Sequence, residues 1–148
     1  MLTGRLCHEV LQRWDYRAGK PLKGGTLAGL IRERAQVLAC EGGPLPGRLA
    51  GEADELLKRF LRSKIARRIA GSEILGREVP FVQAEGPRLI RGVMDLVCRD
   101  REGVVVYDFK TGRPPEGRAR QGELYLRAVK SVLHLQKPRF ELILLKEL

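Results

Sequence analysis

The chain has 148 residues, 43% of them hydrophobic, and carries 28 Lys and Arg against 18 Asp and Glu, a net charge of +10. That length suits one domain with a real core, the composition is too apolar for disorder, and no apolar run is long enough to span a bilayer. A positive excess this large favours a polyanionic partner, most often nucleic acid.

Residues 3–17 read as a helix: Leu6, Cys7, Val10, Leu11 and Trp14 recur at helical spacing, with Thr3 as a possible N-cap and His8 beside the stripe. Arg17 to Gly25 reads as a loop, and Thr26 can cap a second helix running to about Ala39. Glu41 to Gly47, rich in Gly and Pro, must be a connection. A third helix follows with Leu49, Ala53, Leu56, Leu57, Phe60 and Leu61 on one face; it breaks near Ser63 and resumes through Ile65, Ala66 and Ile69. Its polar face, with Lys58, Arg59, Arg62, Lys64, Arg67 and Arg68, is a solvated surface or a phosphate-facing ridge. Strands then take over. Ile74 to Val82 is the first, with Pro80 arguing for an edge position. Leu89 to Cys98 and Val104 to Phe109 are two more, joined by a turn at Asp100-Arg101-Glu102-Gly103. After a loop at 111–115, residues 116–133 form a helix with Leu124, Ala128, Val129, Val132 and Leu133 inward, and Lys137 to Lys146 is a final strand. That strand is apolar on both faces, which predicts an interior position.

The strand–helix–strand crossover makes the last strand parallel to the one ending at Lys110. The expected architecture is α/β: a central mixed four-stranded sheet, an antiparallel meander plus one parallel strand, flanked by helices. Residues 1–148 are expected to be a single domain, with 1–70 mainly helical and 71–148 a βββαβ core. Cys7, Cys40 and Cys98 are widely spaced with no CxxC, so neither a zinc ribbon nor an iron–sulfur cluster is supported, and reduced thiols in a cytoplasmic protein are expected. The N-terminus has no signal-peptide architecture, and its abrupt entry into a helical pattern suggests a piece of a longer chain.

Three charges interrupt the two central strands: Asp95, Asp108 and Lys110. Period-two alternation puts Asp108 and Lys110 on one face, and a hairpin pairing brings Asp95 beside Asp108. Strand-end charges forming a surface ion pair are the plain reading of D-x-K. Two carboxylates side by side, one inside an apolar strand, instead call for a cation between them, and a divalent metal is the simple resolution.

The ordered pattern Gly4-x-x-x-His8, Glu78-Val79-Pro80-Phe81, Gly92-x-x-Asp95, Asp108-Phe109-Lys110-Thr111-Gly112 and Gln121-x-x-x-Tyr125 resembles the RecB/AddA-type nuclease domain of the PD-(D/E)XK superfamily. The resemblance implies a restriction-endonuclease-like fold and roles carried onto these positions. Asp95 and Asp108 would ligate Mg²⁺ or Mn²⁺, with His8 and the Phe109 backbone carbonyl completing the shell. Lys110 would orient the attacking water and steady developing charge, with Glu78 a further catalytic acid. Gln121 and Tyr125, with Thr111 and Arg113 in the adjoining loop, would support the site or hold DNA. Met94 stands where the family motif has proline. The four cysteines of the iron–sulfur-stapled branches are missing, and no G-x-x-x-x-G-K-[ST] occurs, so no ATP site lies in this chain. By the same resemblance, the partner is a helicase, on the same native polypeptide or on a separate chain.

The expected function is a metal-dependent DNA nuclease, the exonuclease part of a helicase–nuclease in DNA end processing and recombinational repair. The alternatives are a non-catalytic DNA-binding or assembly module on the same fold, and a site-specific or junction-cleaving enzyme.

Overall fold

Helical periodicity organises the first half of the chain and strand alternation the second, and the functional side chains lie where the two halves meet. The computed structural model describes residues 2–40, 45–112, 118–133 and 137–148, with side chains throughout these except in 118–121 and 132–133. The first helix, α1, is Leu2–Leu11. It stops short of the expected Arg17 because turn chemistry overrides the apolar spacing. Asp15 Oδ1 accepts hydrogen bonds from the Arg17 and Ala18 N–H groups at 3.0 and 2.9 Å, and Gly19 takes φ +65. The result is a small antiparallel ribbon of β1 (Trp14–Asp15) and β2 (Lys20–Pro21) in place of the last helical turns and part of the expected loop. Thr3 is not a cap: it lies inside α1 and its hydroxyl donates to Glu52 at 2.8 Å.

Thr26 does cap α2 (Leu27–Cys40), its Oγ1 accepting from the Gly29 N–H at 3.1 Å. The helix α3 (Pro46–Arg62) buries Leu49, Ala53, Leu56, Leu57 and Phe60, the stripe read from spacing, each of the larger ones contributing about 1.5–3 kcal/mol. The break falls at Ser63, whose hydroxyl caps α4 (Lys64–Ala70) by accepting from the Ala66 N–H at 3.2 Å. Of the expected basic ridge, Lys58 pairs with Asp54 at 2.6 Å. Arg68 is drawn inward to the buried Tyr107 hydroxyl at 3.1 Å and to Glu141. Arg59, Arg62, Lys64 and Arg67 remain at the surface.

The sheet has the order β3 (Glu73–Glu85), β4 (Arg88–Asp100), β5 (Gly103–Lys110), β6 (Arg139–Leu144). The first three form an antiparallel meander, and β6 joins β5 in parallel after α5 (Arg118–Leu133). Pro80 sits on the edge strand β3, as its missing N–H requires. The last strand is not interior. It is the opposite edge, and its two apolar faces are explained by cover from both layers: Ile143 packs into the core under α1 to α4 and Phe140 against the core under α5. A strand roofed on both faces has the same hydrophobic pattern as an interior one. Among the described residues, no helix is long and apolar enough to cross a membrane.

Candidate active site

The site is built where α1 meets the end of β5. Gly4 and His8 lie one turn apart and so share a face. A Cβ on Gly4 would stand 2.7 Å from Thr111 Oγ1, so only a bare backbone lets α1 settle onto the end of β5. That approach brings the His8 ring edge-on to Phe109, with centroids 6.4 Å apart. His8 Nε2 lies 2.5 Å from the Phe109 carbonyl oxygen and Nδ1 3.4 Å from Asp95 Oδ1. With Nε2 protonated, the first contact is a hydrogen bond to the carbonyl. With it deprotonated, nitrogen and oxygen both present lone pairs to one point, an arrangement that suits a shared cation. Arg77 secures the helix from below, donating to the Leu11 and Gln12 carbonyls at the end of α1 at 3.3 and 3.4 Å.

The strands break their own rules at this level. The pairs Arg77↔Leu96 and Val79↔Met94 put Glu78 across from Asp95. Leu96 belongs to the core under α1 to α4, whereas Met94, two residues away, belongs to the core under α5. In β3, Arg77 reaches α1 while Val79 packs on the α5 side. Strict alternation would put each of these pairs on one face. Both strands therefore change phase at a single rung, and that rung holds Glu78 and Asp95. Glu78 takes φ +49, the left-handed region that disfavours a side chain, and such conformations gather at functional sites.

On its other edge β4 parts from β5. Their last paired residues on this side are Leu96↔Tyr107, and the next rung would set Asp95 opposite Asp108. Instead the Asp95 carboxylate turns into the gap and accepts the Phe109 N–H at 2.7 Å, replacing a ladder bond. Asp108, 1% exposed, is held by Lys110 Nζ at 3.0 Å, the same-face placement that alternation requires. Among the described residues, Asp108 Oδ2 is shut from solvent with no hydrogen-bond partner. The Asp95 carboxyl is pushed up to about 8, first by burial and also by its neighbour Asp108; the Phe109 N–H and Lys110 pull it the other way. As two carboxylates, Asp95 and Asp108 offer each other only lone pairs, so a proton or a cation must come between them.

His8, Glu78 and Asp95 each offer a ligand atom within 4.8 Å of the others. Asp108 stands beyond that trio, next to Asp95 and on the Lys110 side. The donors are carboxylate oxygens, a backbone carbonyl and one imidazole, a set that fits Mg²⁺ or Mn²⁺, and the orphaned Asp108 Oδ2 is the buried atom such an ion would satisfy. A cleft of about 200 Å³ lined by His8, Gln12, Tyr16, Glu78, Asp95 and Phe109 opens onto the trio.

The family model described as the PD-(D/E)XK nuclease superfamily matches residues 2–146. The chain belongs to the PD-(D/E)XK nuclease superfamily. Its curated relatives are large subunits named for an ATP-dependent helicase/nuclease. That of Heliobacterium modesticaldum is 31% identical over 159 residues, covering 90% of this chain and 11% of the relative. Those of Moorella thermoacetica and Desulforudis audaxviator are 29% and 30% identical over 154 residues, each covering 88% of this chain. This PD-(D/E)XK chain thus spans about a tenth of the length of the relatives it matches, 11%, 10% and 12% in these three.

Other motif residues of this PD-(D/E)XK chain fall outside the cleft. Tyr125 is in the core on the α5 side: its hydroxyl donates to the Val93 carbonyl at 3.1 Å and its ring packs against Phe81 and Phe140, centroids 5.2 and 5.3 Å away. Gly92 serves the same packing, since a Cβ there would lie 2.5 Å from the Phe81 ring. Thr111 is buried against Gly4. Arg113 and the Gln121 side chain lie outside the described residues. Sequence reasoning missed Arg77 and Tyr16. Arg77 carried no periodic signal, and Tyr16 was hidden inside the over-long helix.

Proposed function

We propose that this domain is a divalent-metal-dependent deoxyribonuclease, the nuclease part of a helicase–nuclease that processes DNA ends. The observation that supports this most is the rung at which both strands change phase, which sets Glu78 and Asp95 against His8 with the buried Asp108–Lys110 pair alongside. His8, Asp95 and the Phe109 carbonyl would hold the ion together with Glu78 or Asp108. When bound, the ion supplies a Lewis acid for a phosphoryl oxygen and lowers the pKa of a coordinated water.

The chain's own groups do the rest. In phosphodiester hydrolysis a water oxygen bonds to phosphorus, the bond from phosphorus to a sugar oxygen breaks, and that oxygen takes up a proton. Negative charge grows on the phosphoryl oxygens meanwhile. Lys110, its side chain 33% exposed and its ammonium fixed by Asp108 at 3.0 Å, can reach from the buried strand toward that charge without reorganising. Asp95, braced by the Phe109 N–H, keeps the ligand atoms in register. The net charge of +10 would hold the polyanionic substrate, with a salt dependence set by the phosphates contacted.

The test is digestion of end-labelled single- and double-stranded DNA in Mg²⁺ and in Mn²⁺. Progressive shortening that is abolished by chelator, by Asp108→Ala and by Lys110→Ala is the expected result. Salt-sensitive DNA binding without cleavage of any DNA form in either cation would reject this reading in favour of a tethering module.

A further inference from the structure

Tyr16 occupies a place in the site that no family motif marks. It is 6% exposed, and its hydroxyl is shut from solvent with no hydrogen-bond partner among the described residues. The ring is well provided for. It meets Phe60 edge-on, centroids 6.4 Å apart, and the Arg77 guanidinium lies 5.5 Å from its centre. Phenylalanine would make both contacts equally well and would leave no buried polar atom unpaired. Packing therefore accounts for the ring and not for the oxygen. The same residue lines the cleft that holds His8, Glu78 and Asp95, and its phenol feels the charge of Asp95.

We propose that the Tyr16 hydroxyl is a positioning group of the metal site, donating a hydrogen bond to an oxygen that arrives with the occupant: a water accompanying the divalent ion, or a phosphate oxygen of the nucleic acid. This rests on the reading of the cleft as a metal-dependent nuclease site. The donor keeps its proton, because burial pushes the phenol above its ordinary range. Tyr16 is placed by the turn that ends α1 early, so the Asp15 turn and the Arg77 clamp fix His8 and Tyr16 together.

The experiment compares wild type with Tyr16→Phe in the 148-residue chain. Without metal, Tyr16→Phe is expected to raise Tm, since it removes an unpaired hydroxyl and keeps the ring. With Mn²⁺ the order reverses. In the water arm, Mn²⁺ affinity measured by calorimetry without DNA falls about 10- to 100-fold, the range for outer partners of metal ligands. In the phosphate arm, Mn²⁺ affinity is unchanged and kcat/KM on DNA falls by a similar factor. A lower Tm for metal-free Tyr16→Phe would show that the hydroxyl already has a partner, and would overturn the proposal. So would unchanged Mn²⁺ affinity together with unchanged kcat/KM. If wild type itself binds no Mn²⁺, the nuclease reading fails first, and Tyr16 with it.

Discussion

Replacing Asp95 with Asn tests the electrostatics of the site without changing its shape. The amide oxygen can still accept the Phe109 N–H, now made at 2.7 Å, while the charge is lost. In the folded metal-free domain Asp95 keeps its proton up to about 8, against 3.8 ordinarily. Between those values the folded state binds one more proton than the unfolded chain, so stability falls as pH rises and levels off above about 8. One proton corresponds to about 1.4 kcal/mol per pH unit, or about 3 kcal/mol between roughly pH 5.5 and 7.5. For a domain of this size that is about 6–12 °C in Tm. Thermal unfolding in chelator across that range should show this extra slope in wild type and its loss in Asp95→Asn, which should be the more stable protein at the upper end. Saturating Mn²⁺ should lift wild type most at high pH, where the carboxylate is ionised, and leave Asp95→Asn unmoved. Parallel pH profiles for the two proteins would refute the argument that burial and Asp108 hold this proton.

Gly4→Ala puts a methyl 2.7 Å from Thr111 Oγ1 and should lower stability by about 1–3 kcal/mol despite the better helix former, with nuclease activity falling further because His8 is displaced. Adding Thr111→Ala should recover part of both, read by urea unfolding and a DNA-degradation assay. Gly92→Ala drives a methyl to 2.5 Å from the Phe81 ring and should cost about 1–3 kcal/mol, with partial rescue by Phe81→Leu. Lys110→Ala strips the partner from a carboxylate that is 1% exposed; turnover should drop at least about 100-fold, and Mn²⁺ should stabilise this variant more than wild type, since the cation then supplies the missing charge.

The pairing of sequence patterns with local physics accounts for most of what was legible. The stripe of α3, its break at Ser63, the Thr26 cap, the meander and the parallel last strand all follow from spacing and turn residues, because each depends on neighbours within a turn or a hairpin. Asp108 and Lys110 share a face by alternation alone. Where the reading failed, a local signal was ambiguous. Residues 12–17 kept helical spacing while Asp15 and Gly19 made a turn, and β6 looked interior because two layers cover it.

What the chain order settled by itself was which residues could serve a nuclease site and on which elements they ride. Their meeting was decided in three dimensions. Strand alternation placed Asp95 on the same face as Val97, away from His8, and only the joint change of phase at Glu78 and Asp95 turns that carboxylate toward α1. Gly4 takes its meaning solely from Thr111, and the orphaned Tyr16 hydroxyl solely from the cleft around it, 107 residues and a whole sheet apart in the first case and closed by strands far along the chain in the second. Such close approaches between distant segments leave no periodic trace, because periodicity records which face an element buries and not what comes to rest against it.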